Sequence, residues 1–133
     1  MVGRKKGSNS LTPLELQIMQ VLWSEGPSNV LHVQKCLSPN TDLAYNTVQT
    51  MLNILHRKGR VRRRLNGRAY VYRTVASRET VLAQAVRDLV ERMFGGSSED
   101  LVMSLIKSRQ VDPERIADLS RRTTTQKGEE KDA

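Results

Sequence analysis

A single cysteine, Cys36, in 133 residues excludes an internal disulfide framework and any cluster of metal-bound thiolates. Aromatic residues make up only 4% of the chain, so the core has to be aliphatic, built from Leu, Val, Ile and Met. No apolar run approaches the ~20 residues that cross a bilayer, and the first residues lack the apolar stretch of a signal peptide. The chain therefore reads as soluble and cytoplasmic, with no membrane insertion. Also missing are a phosphate-cradling Gly-rich loop, an HExxH pair and a nucleophile elbow, so nothing marks an enzyme or requires a cofactor. His32 and His56 stand far apart, with no HxxxH spacing or Cys/His pairing, and no metal site is expected. Cys36, beside the apolar stripe of a short helix, is expected to be a small buried hydrophobe.

The most informative absence is of negative charge. Between Leu43 and Arg78 there is no acid, against nine basic residues. Up to residue 78 thirteen Lys and Arg face three Asp and Glu, whereas from 79 onward nine face eleven. A merely soluble surface mixes both signs. A one-sign stretch costs self-repulsion, which a polyanionic partner relieves.

Hydrophobic spacing divides the chain. Residues 1–10 are polar, basic and Gly/Ser-rich, and are expected to form a disordered arm. Thr12-Pro13-Leu14-Glu15 predicts a helix start, with Thr12 as N-cap, Pro13 at the first turn and Glu15 closing a capping box. Leu14, Ile18, Val21 and Leu22 form its buried stripe, Trp23 serves as a core anchor, and Gly26-Pro27 ends it. A second helix fits Asn29 to Leu37 with Val30, Val33 and Leu37 inward, followed by a turn over residues 38–41. Asp42 is expected to cap a third helix from about Leu43 to Lys58, closed by Gly59. Its core stripe is Val48, Met51, Leu52 and Leu55; the opposite face carries Asn46, Gln49, Thr50, Asn53 and Arg57. Such an acid-free, hydrogen-bonding face suits a helix in a DNA major groove, where Asn and Gln can pair bidentately with adenine.

Two β-prone runs, Gly59 to Leu65 and Arg68 to Arg73, flank Asn66-Gly67, which predicts a hairpin with a type I′ turn. Three helices followed by a basic ribbon describe a winged helix-turn-helix. Arg62, Arg63, Arg64, Arg68 and Arg73 are expected to share the wing's phosphate contacts, although strand alternation sends them to both faces. Tyr70 and Tyr72 are expected to pack the wing onto the third helix.

After Ser77 a fourth helix reaches about Phe94, with Val81, Leu82, Ala85, Val86, Leu89, Val90, Met93 and Phe94 as a wide apolar stripe. With few neighbours in its own chain, that stripe predicts a second subunit. Gly95-Gly96 breaks the chain; Ser97 or Ser98 opens a fifth helix with Leu101, Val102, Leu105 and Ile106 inward, and Asp112-Pro113-Glu114 opens a sixth. The fold class is therefore mostly α with a small antiparallel β-hairpin: a winged helix over 11–75, a helical dimerisation region over 76–122 and a polar, disordered tail from Thr123.

Leu11-Thr-x-x-Glu15-x-x-Ile-Met19-x-x-Leu-Trp23, Ala44-Tyr-x-Thr47-Val-x-Thr50-Met-Leu52, Lys58-Gly59, Gly67-Arg68-Ala69 and Phe94-Gly-Gly-Ser97 before Leu101-Val102 together resemble the penicillinase-repressor family (the BlaI/MecI/CopY regulators). The likeness runs from about residue 11 to 120, in order. It implies a homodimer whose two winged helices sit on the halves of a palindromic double-stranded operator and block transcription, with a link to antibiotic resistance. The positions that match its DNA-reading helix are Asn46, Thr47, Gln49 and Thr50, with Arg57 and the wing arginines, among them Arg62, Arg64 and Arg68, near phosphate; Tyr45 and Asn53 of the same helix are further DNA-binding candidates. From the apolar stripes, the expected dimer contacts are Leu82, Val86, Leu89, Val90, Met93, Phe94, Leu101 and Leu105. Relatives are released when a membrane sensor metalloprotease triggers a cut in the fifth helix. The aligned bond is Ser104–Leu105, where relatives carry Asn-Phe. The paired cysteines of the copper-responsive branch are absent, which argues against copper sensing. Two other readings stay open from the residues alone: a non-specific nucleic-acid-binding module, and a winged helix whose basic face meets an acidic protein.

Overall fold

A computed structural model describes residues 10–38 and 41–132, with side chains through 124. The expected N-terminal arm up to residue 9 and the middle of the 38–41 turn fall outside the described residues. The element order is α1 (Pro13–Glu25), α2 (Val30–Leu37), α3 (Tyr45–Arg57), β1 (Val61–Asn66), β2 (Ala69–Thr74), α4 (Arg78–Phe94), α5 (Ser98–Lys107) and α6 (Pro113–Asp132). Three helices then a hairpin make a winged helix-turn-helix. One compact unit ends at Leu82 and a second begins at Ala83.

The capping box at the start of α1 forms as its sequence dictates. Glu15 N donates to Thr12 Oγ1 at 3.2 Å, and Thr12 N donates back to Glu15 Oε1 at 2.8 Å. Asn29 caps α2, its Oδ1 accepting from His32 N at 2.8 Å. Ile18, Met19 and Leu22 of α1, Val30, Val33 and Leu37 of α2, and Val48, Leu52 and Leu55 of α3 meet in one buried aliphatic cluster, completed by Val61 and Tyr72 of the ribbon. Each such side chain contributes about 1.5–3 kcal/mol on leaving water. A two-stranded ribbon alone is marginal in water. This one is held by those two core residues and by a backbone bridge to the α1–α2 turn, Ser28 N to Tyr72 O at 3.0 Å and Tyr72 N to Ser28 O at 2.8 Å. Trp23 is a partly buried anchor whose Nε1 donates to Ala76 O at 3.0 Å, tying α1 to the segment after β2.

Three local expectations are corrected. Asp42 does not cap α3: Ala44 holds that position without a side-chain hydrogen bond, and the helix starts at Tyr45. The connector is held by other bonds: Thr41 N donates to Leu37 O at 2.7 Å in a single α-type turn, and Gln34 Nε2 donates to Leu43 O at 3.0 Å. The hairpin turns one residue late, because Asn66 pairs with Ala69 and the loop is Gly67-Arg68. Gly67 has φ +67° and Arg68 is not in the left-handed region, the pattern of a type II′ turn with glycine first. Finally, α6 continues through Thr123 to Asp132 where a polar tail was expected. Asp118 engages Arg115, Arg121 and Arg122 one turn away on either side, and the Thr123 and Thr124 hydroxyls bond back to Leu119 O and Ser120 O.

In the second unit, α4 ends at Gly95 and Gly96, which take φ +57° and +88°, and Gly96 N donates back to Val90 O at 3.0 Å. Ser97 then caps α5 through Asp100 N. Among the described residues no helix is long and apolar enough to cross a membrane.

Candidate nucleic-acid interface

The face of α3 opposite its buried stripe carries Asn46, Thr47, Gln49, Thr50 and Arg57, all exposed, with Tyr45 exposed at the N-terminal end. Val48, Leu52 and Leu55 lock the helix into the core. The open face is therefore presented by a rigid element, as groove reading requires. Asn53 is placed differently from its neighbours. It is half-buried, and its Oδ1 accepts from Arg63 Nη1 at 3.1 Å and from the Tyr72 hydroxyl at 3.3 Å, which makes it the joint between α3 and the ribbon.

The register sorts the arginines. Arg62 lies opposite Arg73, Arg63 opposite Tyr72 and Arg64 opposite Val71. Alternation then puts Arg63 on the face toward α3 and Arg62, Arg64 and Arg73 on the other. Arg63 stacks 4.4 Å from the Tyr70 ring centroid. The two tyrosines part company: Tyr72 is buried against α3, and Tyr70 stays exposed, its ring 6.3 Å from that of Tyr72 at 57°. Arg62, Arg64 and Arg73 line a recess of about 280 Å³ with Pro27, Arg63 and Val71. Arg68 occupies the exposed tip. Among the described residues no carboxylate pairs with Arg57, Arg62, Arg64, Arg68 or Arg73. Like charges directly across a ladder repel. A row of guanidiniums without carboxylate partners, two of them face to face, carries a repulsive cost in the folded chain.

One interaction escaped the sequence reading. Glu15, 2% exposed, accepts from Lys58 Nζ at 2.8 Å, and the same ammonium donates to Ser10 O at 3.0 Å. Burial alone would push the Glu15 carboxyl up. Hydrogen bonds from Lys58 and Thr12, with the Lys58 charge, outweigh it and hold the carboxyl below its ordinary value. The pair ties the start of α1 to the end of α3. The motif positions Glu15 and Lys58 were each visible, but a partnership across 43 residues leaves no local signal.

Cys36 is also corrected: it is only partly buried, and its Sγ lies 3.6 Å from His32 Nε2. Burial, and then the Glu25 carboxylate, push its thiol up.

In the second unit, Val86, Leu89 and Met93 project from α4 at helical spacing, 51%, 43% and 69% exposed, whereas Val90 is buried. Leu82, Phe94, Leu101 and Leu105 are half-buried. The Ser104–Leu105 bond lies inside α5, with Ser104 O accepting from both Ser108 N and Ser108 Oγ.

A sequence model of the penicillinase repressor family matches residues 11–125. The chain is 27% identical over 109 residues to the penicillinase repressor of Bacillus licheniformis, covering 82% of this chain and 85% of that one. It is 33% identical over 99 residues to the transcriptional regulator BlaI of Mycobacterium tuberculosis, covering 73% and 72%. Among solved structures, a transcriptional regulator of Thermotoga maritima superposes with a TM-score of 0.52 at 22% identity, over 96% of this chain and 79% of the other, a likeness of fold.

Proposed function

Since this chain belongs to the penicillinase repressor family, we propose that it is a dimeric transcriptional repressor, reading a palindromic DNA operator with α3 and gripping phosphates with the wing. The observation that carries the reading is the pairing of an exposed, acid-free hydrogen-bonding helix face with a ribbon of arginines that have no carboxylate partner among the described residues. Asn46, Thr47, Gln49 and Thr50 supply the groups for base edges; Arg57, Arg62, Arg64 and Arg68 supply charge for the backbone. Asn53 orients the wing rather than reading bases.

Two copies are needed because one α3 covers half an operator, and joining two half-sites adds their binding energies at a spacing of about one helical turn. The exposed stripe Val86, Leu89 and Met93 is the surface we assign to the second copy. Repression then ends by weakening the dimer, and a cut at Ser104–Leu105 would remove the end of α5 and all of α6 from that unit. Because the bond is inside a hydrogen-bonded helix, a protease has to unwind it first.

Two experiments test the reading. Fluorescence anisotropy at about 150 mM salt should show the protein preferring the DNA upstream of its own gene over a scrambled duplex by about a thousandfold or more. Equal, weak binding to both would reduce it to a non-specific module, and no binding would leave the basic face to an acidic protein. Leu89→Asp should place a charge in the dimer face, shift the protein toward monomer in analytical ultracentrifugation and cut operator affinity at least tenfold. A variant that stays dimeric and binds normally would rule out this placement of the interface.

A further inference from the structure

We propose that Glu25, His32 and Cys36 form a binding site for a borderline divalent cation such as Zn²⁺, clamping α1 to α2 on the surface of the winged helix. Glu25 is the last residue of α1, and His32 and Cys36 stand one turn apart on α2. The turn between the helices brings their donors together. Glu25 Oε1 lies 2.9 Å from His32 Nε2, Cys36 Sγ lies 3.6 Å from the same nitrogen, and all three donor atoms fall within 4.8 Å of one another.

Proton bonding serves this arrangement only weakly. One imidazole nitrogen carries either an N–H or a lone pair. An Nε2–H is shared between the Glu25 oxygen and a sulfur that accepts poorly, and a bare Nε2 that accepts from the thiol faces the carboxylate unpaired. A surface ion pair explains the Glu25 contact but not a sulfur aimed at the same atom. A cation held at once by one oxygen, one nitrogen and one sulfur uses all three.

The distances suit zinc. Its usual bond lengths at a tetrahedral angle imply ligand separations of about 3.6 Å for nitrogen to sulfur and about 3.4 Å for nitrogen to oxygen. The first is already in place at 3.6 Å, and the second needs an opening from 2.9 Å that an exposed carboxylate makes by side-chain rotation. Three ligands leave the fourth position to water, and mixed oxygen, nitrogen and sulfur donors suit zinc better than magnesium or calcium.

The backbone beneath the cluster is fixed without metal. Gly26 N bonds to Leu22 O at 2.9 Å, Ser28 Oγ to Gly26 O at 2.8 Å, and His32 N to the Asn29 cap at 2.8 Å. The Ser28–Tyr72 bridge anchors the same turn to β2. The donors therefore stand on a fixed backbone, and two of them, His32 and Cys36, belong to the helix that precedes α3 in the helix-turn-helix.

Because Cys36 is the single cysteine, a thiolate signal can come from nowhere else in the chain. The full-length, untagged, reduced protein would be titrated with Co²⁺ as a spectroscopic substitute for zinc. The expected result is one equivalent bound with a near-ultraviolet thiolate-to-metal charge-transfer band, bleached when Zn²⁺ displaces the cobalt. Saturating Zn²⁺ should raise the unfolding midpoint by about 5 °C or more. Cys36→Ser should abolish the band; His32→Ala and Glu25→Gln should each weaken binding at least tenfold. Glu25 and His32 side chains are 42% and 47% exposed, so these variants keep the fold, which circular dichroism checks. Absence of the band, or a band indifferent to His32→Ala and Glu25→Gln, would overturn the site.

Discussion

Replacing Arg62, Arg64 and Arg73 together with alanine is expected to weaken operator binding more than a hundredfold at about 150 mM salt, and to weaken binding to scrambled DNA in proportion. The three share one face of the ribbon, and two of them are direct cross-strand partners. Each guanidinium that neutralises a phosphate contributes about 0.9 to the log–log salt slope. Six such contacts in a dimer predict a slope shallower by about 5 units. Gln49→Ala should behave in the opposite way. It should cut the preference for operator over scrambled DNA by a factor of about 5–150, the value of one bidentate base contact, and leave the salt slope unchanged. A folding artefact is separable, because removing the Arg62–Arg73 repulsion should leave thermal stability equal or raised by about 0.2–1 kcal/mol. A triple variant with an undiminished salt slope would take the wing out of the DNA contact. The slope and the preference move independently only if helix and ribbon do different jobs.

What could be read from the sequence follows from how far each interaction reaches along the chain. Thr12, Pro13 and Glu15 announce α1 because a capping box is complete within four residues, and Val30, Val33 and Leu37 announce α2 because a buried stripe repeats each turn. The ribbon's existence was legible from Asn66-Gly67, but not its register. Asn66-Gly67 and Gly67-Arg68 are both acceptable loops, and both registers leave Val61 and Tyr72 on the face toward α3, so the buried positions visible in the sequence do not choose between them. Asp42 misled because capping is local only when the preceding chain is free, and here Leu37 and Gln34 hold the connector. Asn53 looked like its neighbours on the polar face, and only the folded ribbon brings Arg63 and Tyr72 to its oxygen. The sequence reading found no Cys/His pairing and missed His32 and Cys36 at i, i+4; the third member, Glu25, is brought to them only by the α1–α2 turn. The proposed interface was thus legible as composition and helix face, while the separate place of Asn53 at the joint with the ribbon was not.

Lys58→Met is expected to destabilise the winged helix by about 3 kcal/mol at pH 7, because it leaves the Glu15 carboxylate buried without its cation. The pH dependence identifies the cause. In the native protein the Glu15 carboxyl sits below its ordinary value, so the pair contributes stability that is present above the unfolded value, near 4.5, and is lost as pH falls through the folded one. Without Lys58, two of the contributions that lower the carboxyl are gone, and it moves up from its native position. The variant then suffers most when Glu15 is charged, and recovers relative to the native protein as acid neutralises the carboxyl. Urea unfolding at pH 7 and pH 4 should show a gap that narrows at the lower pH. Glu15→Gln in the Lys58→Met background should recover part of the loss at pH 7, since the amide keeps an oxygen for the Thr12 N–H and carries no charge. A gap below about 1 kcal/mol and flat in pH would class the pair with ordinary surface ion pairs. A gap of the expected size would make Lys58, at the end of the helix proposed to read DNA, a residue that fixes where α3 ends relative to where α1 begins.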